Sequence, residues 1–387
     1  MIVHGIGCGL LDFLYPGLDF SGPGFQANAS VQPGDGGLSP GKLVFAEDLE
    51  NFTGKSSPRV LAELNGGRPP ESWSIGGPSI VSLIHAAQVL SGRGSSVRYY
   101  GALGTDEAGR MLKKELEKFP LEPPVFSLKE GNTARTEVLS DPNFDKGQGE
   151  RTFIHSPGAS SFFSPEDVPE DFFNAHIAAF GGTALVPPIH AGLTSLLKKA
   201  RKNGAVTVVN LVYDYRGDRR GRKWTLGSED DAYPFIDILL GDREEALKTS
   251  GQSSIDDGIR WFLARGVRGV IVTNGAKPIT FAANPGFFRE SALTYMPVCE
   301  EISQDPAIQT GDTTGCGDNF AGGVIAALTE AFSSPPGTPD LREICVPAII
   351  AGGFARLTLG GVYSESYPGE KRDRLASYTE VYRKTVL

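Results

Sequence analysis

The chain has 387 residues and a formal net charge of −9, with its 37 basic residues scattered rather than gathered into a stripe. That balance excludes the footprint of a nucleic-acid-binding surface, but small anions remain within reach, because helix N-termini and backbone N–H groups hold phosphate without a basic exterior. A 40% hydrophobic content with 49 glycines and 27 prolines points to short regular elements joined by tight turns, in one large α/β domain with an accessory element or in two ordinary domains.

Four cysteines, Cys8, Cys299, Cys316 and Cys345, are too few and too dispersed for a disulfide framework, and no Cys-x-x-Cys pair suggests zinc. A reducing cytoplasm is the expected location. The start Met1-Ile2-Val3-His4-Gly5 lacks a basic region followed by an apolar one, and no run stays apolar long enough to span a bilayer, so no membrane partner is expected.

In chain order, Ile2–Gly7 reads as a short strand entering a glycine turn, and the stretch to about Pro70 reads as loops and edge strands. From Pro78, Ile80, Ile84, Ala87 and Leu90 recur at helical spacing, and Val97–Tyr100 reads as a strand. A helix over Glu107–Phe119 precedes two strands, Ala134–Leu139 and Arg151–His155, which the polar turn Asp141–Asp145 marks as a hairpin. Then follow a strand (Ile177–Phe180), a helix (Ile189–Asn203), strands (Val206–Asn210 and Ile236–Leu240), helices (Arg243–Ser250 and Ile255–Arg265) and a strand (Val270–Thr273). This alternation predicts a mostly parallel, doubly wound sheet covered by helices on both faces. A helix after Gly315, a proline-rich break at Ser333–Pro339 and an apolar helix over Val346–Leu359 complete the reading.

The chemistry concentrates in Asp312-Thr313-Thr314-Gly315-Cys316-Gly317-Asp318, which precedes a helical apolar run from Phe320 to Leu328. Gly315, Cys316 and Gly317 open that helix with free N–H groups, an arrangement that stabilises a phosphoryl group in transfer. Asp318 falls in the first turn, where the helix dipole keeps a carboxylate ionised and able to accept a proton. A carboxylate suffices as base, because phosphoryl transfer depends more on positioning and charge stabilisation than on base strength. Taken alone, the same residues also describe an ordinary glycine-rich turn.

The whole segment resembles the second signature of the PfkB family of ribokinase-like carbohydrate kinases, Asp-Thr-x-Gly-Ala-Gly-Asp, with Cys316 in place of alanine. Gly76-Gly77 before a helix resembles that family's substrate motif, and Gly101-Ala-Leu-Gly104-Thr-Asp106-Glu-Ala-Gly109 its Gly-x-x-Gly-x-Asp-x-x-Gly block. Asp242-Arg-Glu-Glu245 resembles the Asn-x-x-Glu motif, and Thr273-Asn-Gly275 the turn bordering the nucleotide. The resemblance implies one ribokinase-like kinase domain over 1–387, with a small β lid from segments at about 13–50 and 125–157. It implies ATP with magnesium, Asp318 as base and Gly315, Cys316 and Gly317 as anion hole. Asp12, Gly76, Gly77 and His155 would contact substrate. Asp242, Glu245, Thr273 and Gly275 would face ATP, Glu245 acting on magnesium through water. Asp312 and Thr314 would hold a monovalent cation, K+, and lid strands would join two copies in a homodimer.

The expected reaction transfers the ATP γ-phosphoryl group to a hydroxymethyl group of a sugar or sugar-like molecule, with a nucleoside kinase or a non-catalytic sugar-binding protein as alternatives. Several positions depart from the family pattern. Val81 stands where asparagine is common, Asn210 where a strand-end aspartate is common, and Asp242 replaces asparagine. The stretch between Asp12 and Gly76 is long, which suggests an elaborated lid. Gly36–Leu43 misses a P-loop because Leu43 lacks the hydroxyl, and Gly5–Leu10 misses a dinucleotide turn because Leu10 occupies the last glycine position. The histidines show no metal spacing. His155 reads equally as a substrate contact and as a solvent-facing strand residue.

Overall fold

Short runs rich in β-branched and aliphatic residues alternate sides as strands do, and here both sides are buried. Along Ile238–Asp242, Ile238 and Leu240 join one core cluster and Leu239 joins the other. Two-sided burial of this kind is what a helix-covered parallel sheet requires. In the computed structural model, which describes every residue except 33, 148, 310–312, 334–336 and 387, these runs form a nine-stranded sheet.

Its parallel strands are β1 (Ile2–Gly7), β5 (Ser96–Leu103), β6 (Glu122–Leu128), β9 (Ile177–Gly181), β10 (Val206–Asn210), β11 (Ile238–Asp242) and β12 (Gly269–Asn274). The antiparallel β13 (Lys277–Ala283) and β14 (Ser291–Met296) extend it beyond β12. The spatial order is β14-β13-β12-β11-β10-β9-β1-β5-β6, so the winding reverses beside β1. Such a switch point places a crevice at the carboxyl ends of the strands.

A second, five-stranded sheet has the order β3-β8-β7-β2-β4, from β2 (Leu10–Tyr15), β3 (Leu43–Phe45), β4 (Ser72–Gly76), β7 (Arg135–Asp141) and β8 (Glu150–Ser156). The chain passes between the two sheets four times, at Gly7-Cys8-Gly9, at Gly76-Gly77, between Leu128 and Arg135, and at Pro157-Gly158. Each passage contains glycine.

The helices that matter for the site are α1 (Ala46–Thr53), α2 (Ser57–Asn65), α3 (Pro78–Leu90), α4 (Glu107–Leu116), α5 (Leu193–Lys202), α6 (Arg243–Ser250), α7 (Ile255–Ala264), α8 (Cys316–Ser333), α9 (Leu341–Ala355) and α10 (Glu370–Val386). Helices α3, α8 and α9 pack on one face of the large sheet through Leu83, Val324 and Ile350, and α5 and α7 cover the other through Leu197 and Phe262. Each such fully buried side chain contributes about 1.5–3 kcal/mol. Among the described residues, no helix is long and apolar enough to cross a membrane.

Four expectations need correction. The stretch before Pro70 is not only loops and edge strands: β2 lies inside the small sheet, and α1 and α2 bury Leu49 and Val60. Its many glycines had masked two helices that end on left-handed Gly54 and Gly66. Strand β6 pairs with β5, so the second lid segment begins after Leu128, and the first runs on through β4. The expected helix over Ile189–Asn203 breaks at Gly192, where a Cβ would sit 2.2 Å from Pro165. The last apolar helix starts earlier than expected, at Leu341, because Asp340 caps it through the Arg342 amide at 2.9 Å.

Candidate active site

At the switch point, backbone crowding explains several glycines. A Cβ at Gly76 would lie 2.1 Å from the Asp12 carboxylate, and one at Gly77, whose φ is +102°, would lie 2.7 Å from the Cys8 carbonyl. These contacts tuck the start of α3 against the Gly7–Gly9 turn, where Ser79 N donates to Cys8 O at 3.2 Å. Asp12, Gly76 and Gly77 are therefore brought together. Val81, two residues along the helix, is buried and packs on Gly361, which accounts for an apolar residue at that position.

The glycine turn opens α8 as expected. Gly315 adopts φ +71°, and a Cβ there would meet Gly361 Cα at 2.5 Å, so both conformation and space demand glycine. Gly317 differs: among the described residues a Cβ there would meet nothing within 4 Å, whereas the Cys316 amide donates to Thr313 O at 3.4 Å. The N-terminus of a helix suits an anion such as a phosphoryl group.

Asp318 keeps partial solvent access, but its carboxyl is enclosed enough that loss of hydration pushes its pKa up to about 6. It stays ionised at neutral pH while gaining basicity. Burial raises the Cys8 thiol first, and both Asp12 and Asp318 then push it further, so the two carboxylates converge on the end of β1.

Further along the sheet, Asp242 at the end of β11 lies in register with Thr273 of β12. Asp242 and Glu245 form a capping box on α6: Glu245 N donates to Asp242 Oδ1 at 2.8 Å, and Asp242 N donates to Glu245 Oε2 at 2.8 Å. Each carboxylate keeps its second oxygen. Partial enclosure raises the pKa of Glu245 to about 8, with Asp242 and Asp318 adding to the rise; Asp242 is exposed as a residue, and loss of hydration around its carboxyl followed by the Glu244 charge pushes its own pKa upward. A cluster of mutually repelling carboxylates fits a divalent cation held jointly with phosphates, which needs few protein ligands. Consistently, no ready-made group of three metal-ligating side chains occurs among the described residues. Gly275, at φ +59°, turns the chain from β12 into β13.

The small sheet contributes a row. Register pairs Ser74 with Asp12, Asp12 with Thr136, Thr136 with His155 and His155 with Phe45, so all five share one face. His155 is completely buried, which removes the solvent-facing reading: its Nδ1 lies 3.1 Å from Thr136 Oγ1, Phe45 packs edge-on at 5.2 Å, and burial lowers its pKa to about 4. Its Nε2 and the Ser74 hydroxyl find no partner among the described residues, the sort of buried polar atoms that a substrate hydroxyl would satisfy.

Sequence reasoning missed the residues that fasten the small sheet onto the large one. Arg151 of β8 reaches the glycine turn, donating to Thr313 Oγ1 at 2.6 Å and to Thr314 Oγ1. Lys42, dismissed with the P-loop near miss, pairs with Glu244 at 2.7 Å, and Phe45 stacks on Tyr215 at 4.7 Å. The signal for Arg151 was its spacing from His155, since residues 151, 153 and 155 share a strand face. Thr314 is thus found at the turn, while Asp312 lies outside the described residues.

The family profile described as pfkB family carbohydrate kinase matches residues 76–361. Among curated proteins, a fructokinase from Vibrio alginolyticus is 25% identical over 259 residues, covering 66% of this chain and 76% of its own. An adenosine kinase from Schizosaccharomyces pombe is 27% identical over 312 residues, covering 73% and 82%. Among solved structures, adenosine kinase from Schistosoma mansoni in complex with 2-fluoroadenosine superposes with a TM-score of 0.71 at 18% identity, covering 96% of this chain and 98% of its own. Ribokinase from Thermotoga maritima superposes with a TM-score of 0.63 at 15% identity, covering 98% and 99%. At such identities these two likenesses establish the fold.

Proposed function

Because this chain belongs to the pfkB family of carbohydrate kinases, we propose that it transfers the ATP γ-phosphoryl group to a hydroxymethyl group of a sugar or sugar-like substrate. The observation that carries the reading is the position of Asp318, a carboxylate of raised basicity, in the first turn of a helix that left-handed Gly315 opens. Asp318 takes the proton of the attacking hydroxyl, and the amides of Gly315, Cys316 and Gly317 receive the charge of the transferring group. Asp12 and its row on the small sheet hold the acceptor's other hydroxyls. Arg151 brings a guanidinium to the turn, where it offsets charge on the phosphoryl oxygens. Asp242 and Glu245 would hold magnesium, which would supply positive charge to offset that of the ATP phosphates, and Thr273 with Gly275 would border the nucleotide.

Closure of the small sheet excludes water and protects ATP from hydrolysis. A face of the small sheet other than the Asp12 row carries Val44, Ile154 and Leu139, which join the same core cluster as Leu49 and Val60 of α1 and α2. That backing by the chain's own helices supports a monomer over a dimer joined through lid strands. A potassium requirement at Thr314 and Asp312 belongs to the same reading, and dependence of turnover on KCl over NaCl checks it.

A nucleoside acceptor is the second reading, favoured by the fission-yeast relative and by the similarity in fold to the schistosome enzyme. A thermal-shift panel of fructose, ribose, other pentoses and hexoses, and adenosine, each with a magnesium–ATP analogue, separates the two. The true acceptor raises the midpoint, and coupled ADP release confirms turnover. Absence of ADP release with every alcohol tested would overturn the kinase assignment.

A further inference from the structure

Behind the glycine turn, on the side away from the cleft, lies a fully buried lysine. Lys371, in the first turn of α10, is 1% exposed, and no carboxylate hydrogen-bonds its ammonium among the described residues. Its Nζ instead donates to Asn319 Oδ1 at 2.9 Å and to Gln88 Oε1 at 3.1 Å. Burial draws its pKa down to about 7, so the ammonium depends on these oxygens and on the charge of Glu365 to persist.

Asn319 follows the base directly, and its amide reaches both ways. Nδ2 donates to Gly315 O and to Gly361 O, each at 2.8 Å, while Oδ1 also faces His85 Nδ1 at 2.9 Å. His85 comes this close because Gly322 lets α8 press on α3: a Cβ there would meet Ser82 O at 2.5 Å and His85 Cβ at 2.7 Å. Gln88 repeats the pattern, with Nε2 donating to Tyr363 O at 2.7 Å.

A side-chain amide has two ends of nearly equal shape and opposite polarity, and an ammonium offers donors alone. Lys371 therefore dictates which end of both amides turns toward it. With Asn319 oxygen fixed on the lysine, its NH2 must face the carbonyls of Gly315 and Gly361. With Gln88 oxygen fixed likewise, its NH2 must face Tyr363.

We propose that Lys371 is a positioning residue for phosphoryl transfer, its buried ammonium orienting the Asn319 and Gln88 amides so that they lock the Gly315–Asp318 turn and the adjoining Gly361–Tyr363 loop. This deepens the kinase reading and rests on the turn being the transfer site, but its test needs no substrate. Cys316 lies in the turn and is partly exposed, whereas Cys8, Cys299 and Cys345 are buried, so the thiol's reaction rate with DTNB in ligand-free protein reports how firmly the turn is held.

Losing a charged hydrogen bond weakens the lock by a factor of about 10–100. Lys371→Met should accelerate Cys316 labelling by at least about tenfold while the buried thiols stay slow. Asn319→Asp, which keeps an acceptor for Lys371 but sets a charged carboxylate oxygen against the carbonyls of Gly315 and Gly361, should do the same, and adding Lys371→Met to Asn319→Ala should change labelling by less than about twofold. In turnover of whichever acceptor the panel identifies, kcat should fall by a similar factor with the acceptor KM nearly unchanged.

Unaltered Cys316 labelling in Lys371→Met, or acceleration of all four thiols together, would overturn the proposal. If the methionine variant does not fold, unaltered labelling in Asn319→Asp overturns it alone. A chain that labels as expected yet phosphorylates nothing would refute the kinase reading and leave the lock intact.

Discussion

Asp318→Asn tests whether the base has been raised in pKa by its surroundings. In the folded chain the Asp318 carboxyl titrates at about 6 against an ordinary value of 3.8, a difference of about two units or about 3 kcal/mol. Between about pH 4 and 6 the folded chain retains a proton that the unfolded chain has released, so stability falls as pH rises through that window, and the full penalty stands above it. Partial solvent access reduces the figure to about 2–3 kcal/mol. Asparagine is nearly isosteric and uncharged, so the variant should gain that stability at pH 7.5 and nothing at pH 4, while kcat falls by at least about 100-fold. Urea unfolding followed by tryptophan fluorescence at both pH values, paired with ADP release, measures the two effects. In the unsubstituted enzyme, kcat/KM should drop about tenfold per unit below about pH 6. An equal stability gain at both pH values, or none, would show that the carboxyl is not held at a desolvation cost and would remove the reason for its raised basicity.

Arg151→Gln should lower kcat/KM by about 10–100-fold, the worth of one or two charge-assisted hydrogen bonds, and lower the melting temperature because the small sheet loses a fastening to the turn, as steady-state kinetics beside a thermal melt would show. The two glycines of the turn should behave oppositely. Gly315→Ala forces a positive φ and a backbone clash with Gly361, so unfolding free energy should fall by more than about 1 kcal/mol. Gly317→Ala, in the first turn of α8 with nothing within 4 Å of its Cβ among the described residues, should leave the melt unchanged or raise it slightly while raising the KM for ATP if the helix end receives the phosphates.

The local geometry of the candidate site was legible because it is written in consecutive residues. The Gly315–Asp318 turn, the Gly76-Gly77 pair and the Asp242–Glu245 box each draw their geometry from a few consecutive residues at the end of a strand or the start of a helix, where turn chemistry and capping act within one helical turn. The large sheet was legible for a similar reason, since two-sided burial writes itself into each strand separately. What escaped was non-local. Arg151 acts on Thr313 and Thr314 only because β8 folds over the cleft, and Lys371 acts on Asn319 only because α10 returns behind α8. A lysine in a polar helix carries no sequence mark of being buried. Helices α1 and α2 escaped because their stabilising contacts lie with the small sheet, while their own sequence is broken by the glycines that end them.

The four glycine-bearing passages between the sheets set the manner in which the cleft reopens. A five-stranded plate stiffened on one side by helices resists bending, so displacement concentrates at Gly7–Gly9, Gly76-Gly77, the Gly131 stretch and Gly158, and the plate swings as a single body. Opening of the cleft requires Arg151, Lys42 and Phe45 to give up their contacts with the turn, Glu244 and Tyr215.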